Sequence, residues 1–339
     1  MKKKVSLKDI AQEAGVSTAL VSYVMTNKEE KARVGREMAR KIRKIAQKLN
    51  YQPNHLARSL KSGRSDTIGL IVADISNPFF GHIARTIEDE AKQHNYTVIF
   101  GSSDENVDKS GDLINALLNR QVDGLIVIPA EGSEQQIRRL KERHVPFVLM
   151  DRPFPDVDAS SISINNAGAA YEAVKHLLLS GRRRVGMIAY KTGLHHIAER
   201  RSGYTQALSD YGLEKEKRIK LARYSHLRDD IRKAIDQLTG GKHPADALFF
   251  ATNSLAIEGL RYISELGISV PEQLAVVSFD ESEAFDLFHA PVTYIRQPIR
   301  EMGKAAVRLL LEQIRDGDKP TEAICLDAEL IVRQSTAKK

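Results

Sequence analysis

Seven short, unbroken apolar runs recur along this chain of 339 residues, and they limit its fold more than any other feature. They are Ile68-Gly69-Leu70-Ile71-Val72-Ala73, Thr97-Val98-Ile99-Phe100, Gly124-Leu125-Ile126-Val127-Ile128 and Phe147-Val148-Leu149-Met150, then Val185-Gly186-Met187-Ile188-Ala189, Ala247-Leu248-Phe249-Phe250 and Ala275-Val276-Val277-Ser278-Phe279. A strand with no polar alternation has no face to offer water, so it suits a parallel sheet covered on both sides by crossover helices. Helical patterns of roughly 10–18 residues separate most of the runs, as such crossovers require. Residues 65–339 are too many for one typical sheet unit, so the runs predict two doubly wound lobes. No internal repeat between the two series is strong enough to use.

The first 64 residues are different in kind. They hold 16 Lys/Arg against 5 Asp/Glu, whereas the remaining 275 hold 35 against 39. A basic head on a mildly acidic body points to a head that meets a polyanion and a body with another task. The head's charges interleave with a strict apolar pattern. Leu7, Ile10, Ala11 and Ala14 fall at helical spacing, with Ser6 as N-cap and Asp9 in the first turn. Gly15 follows as the residue able to take a positive φ in a tight turn. Ser17 then caps a second helix that turns Leu20, Val21 and Val24 inward and leaves Thr18, Ala19, Ser22 and Tyr23 outside. A third amphipathic helix, about Gly35 to Leu49, adds Met38, Ile42, Ile45 and Leu49. This is the pattern of a helix-turn-helix. The bland alternative is a three-helix scaffold with a solvated face.

After it comes Tyr51-Gln52-Pro53-Asn54-His55-Leu56-Ala57-Arg58-Ser59-Leu60-Lys61-Ser62-Gly63, a second basic segment with Pro53 at a helix start and Gly63 at a stop. A helix so short does not hold alone in water, so it makes sense as one that folds against a partner. Its Leu60 could then enter a base step from the minor groove, a known way of bending DNA. A plain linker is the alternative.

The run Ser6-Leu7-Lys8-Asp9-Ile10-Ala11, followed by Ala14-Gly15-Val16-Ser17 and Val21-Ser22, resembles the amino-terminal signature of the lactose-repressor (LacI/GalR) family of bacterial transcription regulators. Tyr51-Gln52-Pro53-Asn54 and Ala57-Arg58-Ser59-Leu60 resemble its hinge helix, and the likeness extends over nearly the whole chain. The resemblance implies a three-helix DNA-binding domain over 1–50, a hinge over 51–64 and a two-lobed, periplasmic-binding-protein-like body. Its first lobe would comprise 65–164 with 293–324, Thr293-Tyr294-Ile295-Arg296 and the helix after Pro298 returning to it. The second would comprise 165–292 with 325–339. The resemblance also implies a repressor dimer that holds a palindromic operator, under the control of a small-molecule effector. The expected DNA contacts are Ser6, Ser17, Thr18, Ala19, Ser22, Tyr23, Asn54, His55, Ala57, Arg58, Leu60 and Lys61.

Ligands of doubly wound sheets bind beyond the carboxyl ends of the strands, and that rule selects what to inspect in the body. Asp74-Ile75-Ser76-Asn77-Pro78-Phe79-Phe80 follows the first strand, and Asp151-Arg152-Pro153 the fourth. Asn165 and Asn166 precede a helix, Arg200 lies in an Arg-Arg-Ser-Gly-Tyr stretch, Asn253-Ser254 follows Phe250, Asp280-Glu281 follows Phe279, and Gln297 ends Thr-Tyr-Ile-Arg-Gln-Pro. Carboxylates, amides and an arginine beside aromatic walls suit a polyhydroxylated, sugar-like ligand. Asn165, Asn166 and Asn253 read equally well as helix caps. The family's effector contacts map onto Asp151, Arg200, Asn253, Asp280 and Gln297, and Asp74, Phe79 and Phe80 complete the expected site.

Departures from the family limit what carries over. Leu20, Tyr23 and Thr26 stand where the family often has Thr, Arg and Asn, and losing that Arg removes a bidentate guanine reader, so the operator sequence does not transfer. Ser254 stands where Asp is common, and with one carboxylate fewer the effector's identity does not transfer either.

Enzyme classes find little support. No Gly-x-Gly-x-x-Gly follows a strand and no phosphate-loop Gly-Lys-Ser/Thr occurs, so no nucleotide cofactor and no catalytic residue is expected. His195-His196 with Glu199 lacks the order of a zinc helix and is expected in a solvated loop. The single Cys325 excludes an internal disulfide and is expected to pack as a small apolar side chain. Two-lobed solute receptors share such a body, but Lys8, Asp9, Gln12 and Glu13 interrupt any export core, and no run approaches a membrane span. A cytoplasmic protein is therefore expected. A nucleoid protein without ligand control would not need so large a body. The last apolar run, Leu330-Ile331-Val332, leaves too little chain for a coiled coil, so a dimer is expected rather than a tetramer.

Overall fold

The computed structural model describes residues 5–51, 63–317 and 320–337. It divides into two compact units, Met1–Ser65 and Asp66–Lys339. The expected hinge helix, with Asn54, His55, Ala57, Arg58, Leu60 and Lys61, lies outside the described residues.

The head is three helices: α1 (Leu7–Ala14), α2 (Thr18–Met25) and α3 (Arg36–Lys48). Ser6 and Asp9 form a reciprocal capping box, in which the Ser6 amide donates to the Asp9 carboxylate at 2.7 Å. Gly15 leaves α1 at φ 71°, a conformation that favours glycine, and its amide donates to the carbonyl of Ala11. The Ser17 hydroxyl then accepts from the Leu20 amide and starts α2. Ile10, Ala11, Ala14, Val21, Val24, Ala39, Ile42 and Ala46 make the buried core. So small a core leaves α3 needing further anchors. Lys41 donates to the Ala14 carbonyl at 3.1 Å, and Lys48 pairs with Glu13 at 2.9 Å.

The body holds two six-stranded sheets. In the first, β1 (Thr67–Val72) lies between β2 (Thr97–Ser102) and β3 (Gly124–Val127), followed outward by β4 (Phe147–Met150), β5 (Ser161–Ile164) and, last in sequence, β11 (Ala323–Leu326). All its pairings are parallel. Alternate residues serve separate cores. Leu70 and Val72 join one cluster with Phe80 and Ile83 of α4 (Pro78–Gln93), while Ile71 joins another with Ile114 and Leu117 of α5 (Val107–Asn119) and Ile137 of α6 (Glu134–Glu142). Burial on both faces is the reason these runs show no polar alternation.

The second sheet repeats the plan with β6 (Val185–Tyr190) between β7 (Arg218–Ala222) and β8 (Ala247–Phe250), then β9 (Ala275–Phe279), β10 (Thr293–Arg296) and β12 (Glu329–Ile331). Only the β10–β12 pairing is antiparallel. Helix α7 (Asn166–Leu179) leads into it from β5, and α8 (His195–Asp210), α9 (Leu227–Thr239) and α10 (Asn253–Glu265) connect its strands. Helices α7 and α8 press together at Gly203, where an added Cβ would stand 2.1 Å from the Ala167 carbonyl oxygen. Glycine is required there for closeness, not for its backbone freedom.

Three expectations need correction. Thr293–Arg296 does not return to the first lobe: Ile295 pairs with Phe279 in parallel and with Leu330 across β12. Thr293, Tyr294 and Ile295 are buried there, and the Thr293 amide donates to Ser335 Oγ at 2.8 Å, so the second sheet satisfies this strand fully. The chain crosses only after Gln297, with α11 (Ile299–Asp316) packing on α4 and against β3, β4 and β5. Because β11 pairs with β5, Cys325 and Leu326 belong to the first lobe, and Cys325 lies exposed on that edge rather than packed inside. Finally, β2 is not buried on both faces: as an edge strand it leaves Ile99 37% and Phe100 57% exposed.

Candidate functional site

Both sheets end at one cleft, and the side chains there come from the loops just past their strands. Asp74 follows β1, Glu105 follows β2, Asp151 and Arg152 follow β4, Tyr224 follows β7, Asp280 follows β9 and Gln297 follows β10. With Phe79, Phe80, Tyr190, His196, Arg200, Thr252 and Ser254 they enclose a cavity of about 60 Å³.

Arg200, projected from α8, is held along one edge and one face. Its Nε donates to Asn166 Oδ1 and one terminal nitrogen donates to the Ala251 carbonyl, each at 2.8 Å. Its guanidinium lies 3.5 Å above the Phe279 ring, with Asp280 Oδ2 at 3.6 Å from the same nitrogen. Burial lowers the pKa of this arginine, against the pull of Asp280 and Asp151. Asp280 sits at φ 68° and accepts from Gln297 Nε2 at 2.6 Å. Burial raises its carboxyl above the usual range, opposed chiefly by Arg200.

Asp151 mirrors it from the other lobe at φ 70°. Burial pushes its carboxyl up to about 6, while Arg152 and Arg200 oppose that rise. One of its oxygens, Oδ1, is buried without a hydrogen-bond partner. Arg152 is gripped end-on by Glu105 through two bonds of 2.8 and 2.9 Å. Burial opposes the charge of Arg152, but the Glu105 carboxylate outweighs it and drives that pKa up. Arg152 Nε, His196 Nδ1 and Gln297 Oε1 are likewise buried without partners. Burial, then Arg152 and Arg200, depress His196 well below its ordinary pKa, so it is neutral. Buried polar groups left unsatisfied at one point in a fold call for a ligand to complete them.

Of the expected effector contacts, Asp74, Phe79, Phe80, Asp151, Arg200, Asp280 and Gln297 line this cavity. Asn253 does not. It exchanges side-chain hydrogen bonds with Asn77 of the first lobe, itself a wall residue, at 3.1 and 3.3 Å, and so ties the lobes beside the cavity. Of the three asparagines that read as caps, Asn165 caps α7, Thr252 rather than Asn253 caps α10, and Asn166 orients Arg200. A second tie between lobes comes from Glu131, which accepts from the Gly193 amide at 2.6 Å and the Thr192 hydroxyl at 2.7 Å. His195 and His196 are not in a solvated loop. They open α8, with His195 3.6 Å from Glu199 and His196 buried at the cavity.

Sequence reasoning missed Glu105, Tyr190, His196, Tyr224 and Thr252 as wall residues, while Asn77, Arg152 and Ser254 stood in the stretches it selected but not among its expected contacts. The strand-end rule selects Glu105 once β2 is carried through Ser102, and Arg152 adjoins an expected contact. Tyr224 had no such signal, because the charged run Arg218-Ile219-Lys220-Leu221-Ala222 does not read as a buried strand. Its ring stacks on Tyr190 with centroids 3.8 Å apart.

In the head, Thr18 and Ala19 are exposed and Tyr23 is 45% exposed on α2, with Ser22 half-buried beside them. Ser6 and Ser17 serve as helix caps. Among the described residues, no cluster of three His, Cys, Asp or Glu could hold a metal ion, and no helix is long and apolar enough to cross a membrane.

The head has the helix-turn-helix of a DNA-binding protein, and the body is two doubly wound lobes that meet at a polar cavity. Residues 6–54 match the bacterial regulatory proteins of the lacI family, and residues 174–336 match a periplasmic binding protein-like domain. The HTH-type transcriptional repressor CytR of Escherichia coli (strain K12) is 31% identical over 98% of this chain and 96% of its own length. The chain therefore belongs to the lacI family and is a DNA-binding transcriptional repressor. A LacI family regulator from Enterococcus faecium with bound ribose shares 26% identity and a TM-score of 0.72 over 80% of this chain and 99% of that one. The lac repressor dimer bound to operator and the anti-inducer ONPF shares the fold, with a TM-score of 0.85 and 23% identity over 99% of this chain and 100% of that one.

Proposed function

We propose that this repressor works in the cytoplasm as a homodimer on a palindromic operator, and that a sugar or sugar derivative in the inter-lobe cleft controls its grip. The observation that carries the reading is the set of buried, unpartnered polar atoms between the lobes: Asp151 Oδ1, Gln297 Oε1, Arg152 Nε and His196 Nδ1. Hydroxyl groups both donate and accept, so a polyol satisfies such a mixed set, and the rings of Phe79, Phe80, Tyr190 and Tyr224 offer apolar faces for sugar CH groups. The ribose held by the Enterococcus faecium regulator is of this class. Ser17, Thr18, Ala19, Ser22 and Tyr23 enter the major groove with α2, and Ser6 meets the backbone. The exposed apolar side chains of two edge strands, Ile99 and Phe100 on β2 and Leu221 on β7, support pairing of two bodies. The hinge residues Asn54, His55, Ala57, Arg58, Leu60 and Lys61 then meet in the central minor groove. Effector and operator alter each other's affinity by one common factor. Thermal melting of the full chain against a panel of sugars finds the effector, and operator titrations with and without it read the sign of its action. A compound that binds the cleft yet leaves operator affinity unchanged refutes the control, and a monomer that binds operator tightly refutes the dimer.

A further inference from the structure

The cleft contains two arginines, the residues that ordinarily recognise phosphate and carboxylate groups, and contacts within the protein already hold most of their donors. Arg200 is engaged by Asn166, the Ala251 carbonyl and the Phe279 ring. Arg152 offers its bidentate edge to Glu105, leaving only Nε towards the cavity, with Asp151 Oδ2 3.6 Å away. The wall carries four carboxylates, Asp74, Glu105, Asp151 and Asp280, against those two guanidiniums, so two negative charges are uncompensated. Two of the unpartnered atoms, Asp151 Oδ1 and Gln297 Oε1, are acceptors that require a ligand's donors. A phosphate group brings chiefly acceptors and further negative charge.

We propose that Glu105 is a specificity-determining residue that excludes anionic ligands: by occupying Arg152 it restricts the cleft to donor-rich molecules without phosphate or carboxylate groups. Free sugars, nucleosides and amino sugars fit this description, and sugar phosphates and sugar acids do not. The restriction rests on the reading of the cleft as an effector site and narrows its chemistry. Glu105 itself is held for this purpose by the backbone. It follows Asp104, both residues have φ above 50°, and its amide donates to the Ala73 carbonyl at 2.9 Å. Its side chain is 13% exposed and that of Arg152 only 3%, so water weakens the pair little.

The test uses the full chain, with inorganic phosphate as the first probe and chloride at equal ionic strength as the control. Phosphate should not raise the melting temperature of the unaltered protein. It should raise that of Glu105→Gln, whose Arg152 is freed, and Arg152→Met added to Glu105→Gln should abolish the gain. Phosphate stabilisation of the unaltered chain, or none in a folded Glu105→Gln protein, overturns the proposal. A second arm compares ribose with ribose 5-phosphate and glucose with glucose 6-phosphate on the unaltered chain by calorimetry. A phosphate ester that binds as tightly as its parent sugar also overturns the proposal, while leaving sugar sensing intact. If no sugar binds but Glu105→Gln gains phosphate, the sugar reading fails and the exclusion by Glu105 stands.

Discussion

Replacing Asp151 with asparagine should separate two effects of one buried carboxyl group that run in opposite directions with pH. Asp151 ionises near 3.8 in the unfolded chain and at about 6 in the folded one, because burial penalises its charge more than Arg152 and Arg200 relieve it. A raised carboxyl pKa makes its contribution to stability full below pH 3.8 and progressively lost as pH rises through about 6. The difference of about two units corresponds to roughly 3 kcal/mol at 1.36 kcal/mol per unit. An amide at this position does not titrate, so the stability of Asp151→Asn relative to the parent should rise by up to about 3 kcal/mol between pH 4 and pH 7. Effector binding should show the reverse sense. A ligand hydroxyl donating to Asp151 Oδ1 needs the carboxylate, so affinity in the parent should fall below about pH 6, by at most about tenfold per unit. Urea denaturation of both proteins at a series of pH values measures the first effect and calorimetry the second. A stability difference that is flat, or that falls as pH rises, would refute the assignment of a buried, costly charge to this position.

Removing Arg200 takes the opposite charge from buried Asp280 and leaves Asn166 Oδ1 without its donor, so Arg200→Met should weaken the effector at least about tenfold by calorimetry while leaving ligand-free operator binding nearly intact. Tyr23→Ala should do the opposite in gel shifts, harming operator choice and sparing the effector, because Tyr23 stands exposed on α2 of the head. Gly203→Ala forces a Cβ against the Ala167 carbonyl, backbone that cannot rotate away. The cost should be roughly 1–3 kcal/mol by urea denaturation, with an effector defect from displaced Arg200 and Asn166.

How far the sequence could be read depended on whether a segment's environment matched its own chemistry. The head was legible to the residue: Ser6, Gly15 and Ser17 are local signals, and local geometry is what they set. Central strands such as Leu125–Val127 were equally plain, since burial on both faces leaves an unbroken apolar run. Edge strands were not. Arg218–Ala222 keeps polar residues because one side faces water; Ser161–Ile164 is an inner strand that was hidden by its alternating serines. The sheet that takes Thr293–Arg296 could not be read, because either would accept such a run; what decides is pairing with β9 and β12. In the cleft, strand-end carboxylates were found by rule, whereas Glu105 acquires its role only through Arg152, a contact across 47 residues that no spacing announces.

The two ties between lobes yield a last prediction. Asp74, Glu105, Asp151 and Arg152 come from the first lobe, a net of two negative charges, while Arg200 and Asp280 come from the second and cancel. Parting the lobes would return Asp151 to water and relieve its desolvation, so closure needs contacts that oppose this cost. Glu131, accepting from Thr192 and Gly193, and the Asn77–Asn253 pair supply them. An effector that binds the closed form loses apparent affinity in proportion to the closed fraction. Glu131→Ala removes two bonds at an exposed position, so the closed fraction should fall only modestly and effector binding weaken about threefold to tenfold. Binding enthalpy and stoichiometry measured beside the affinity distinguish this from damage to the site. Unchanged affinity in Glu131→Ala would mean that the tie does not hold the closed form, and tighter binding would mean that the effector selects parted lobes.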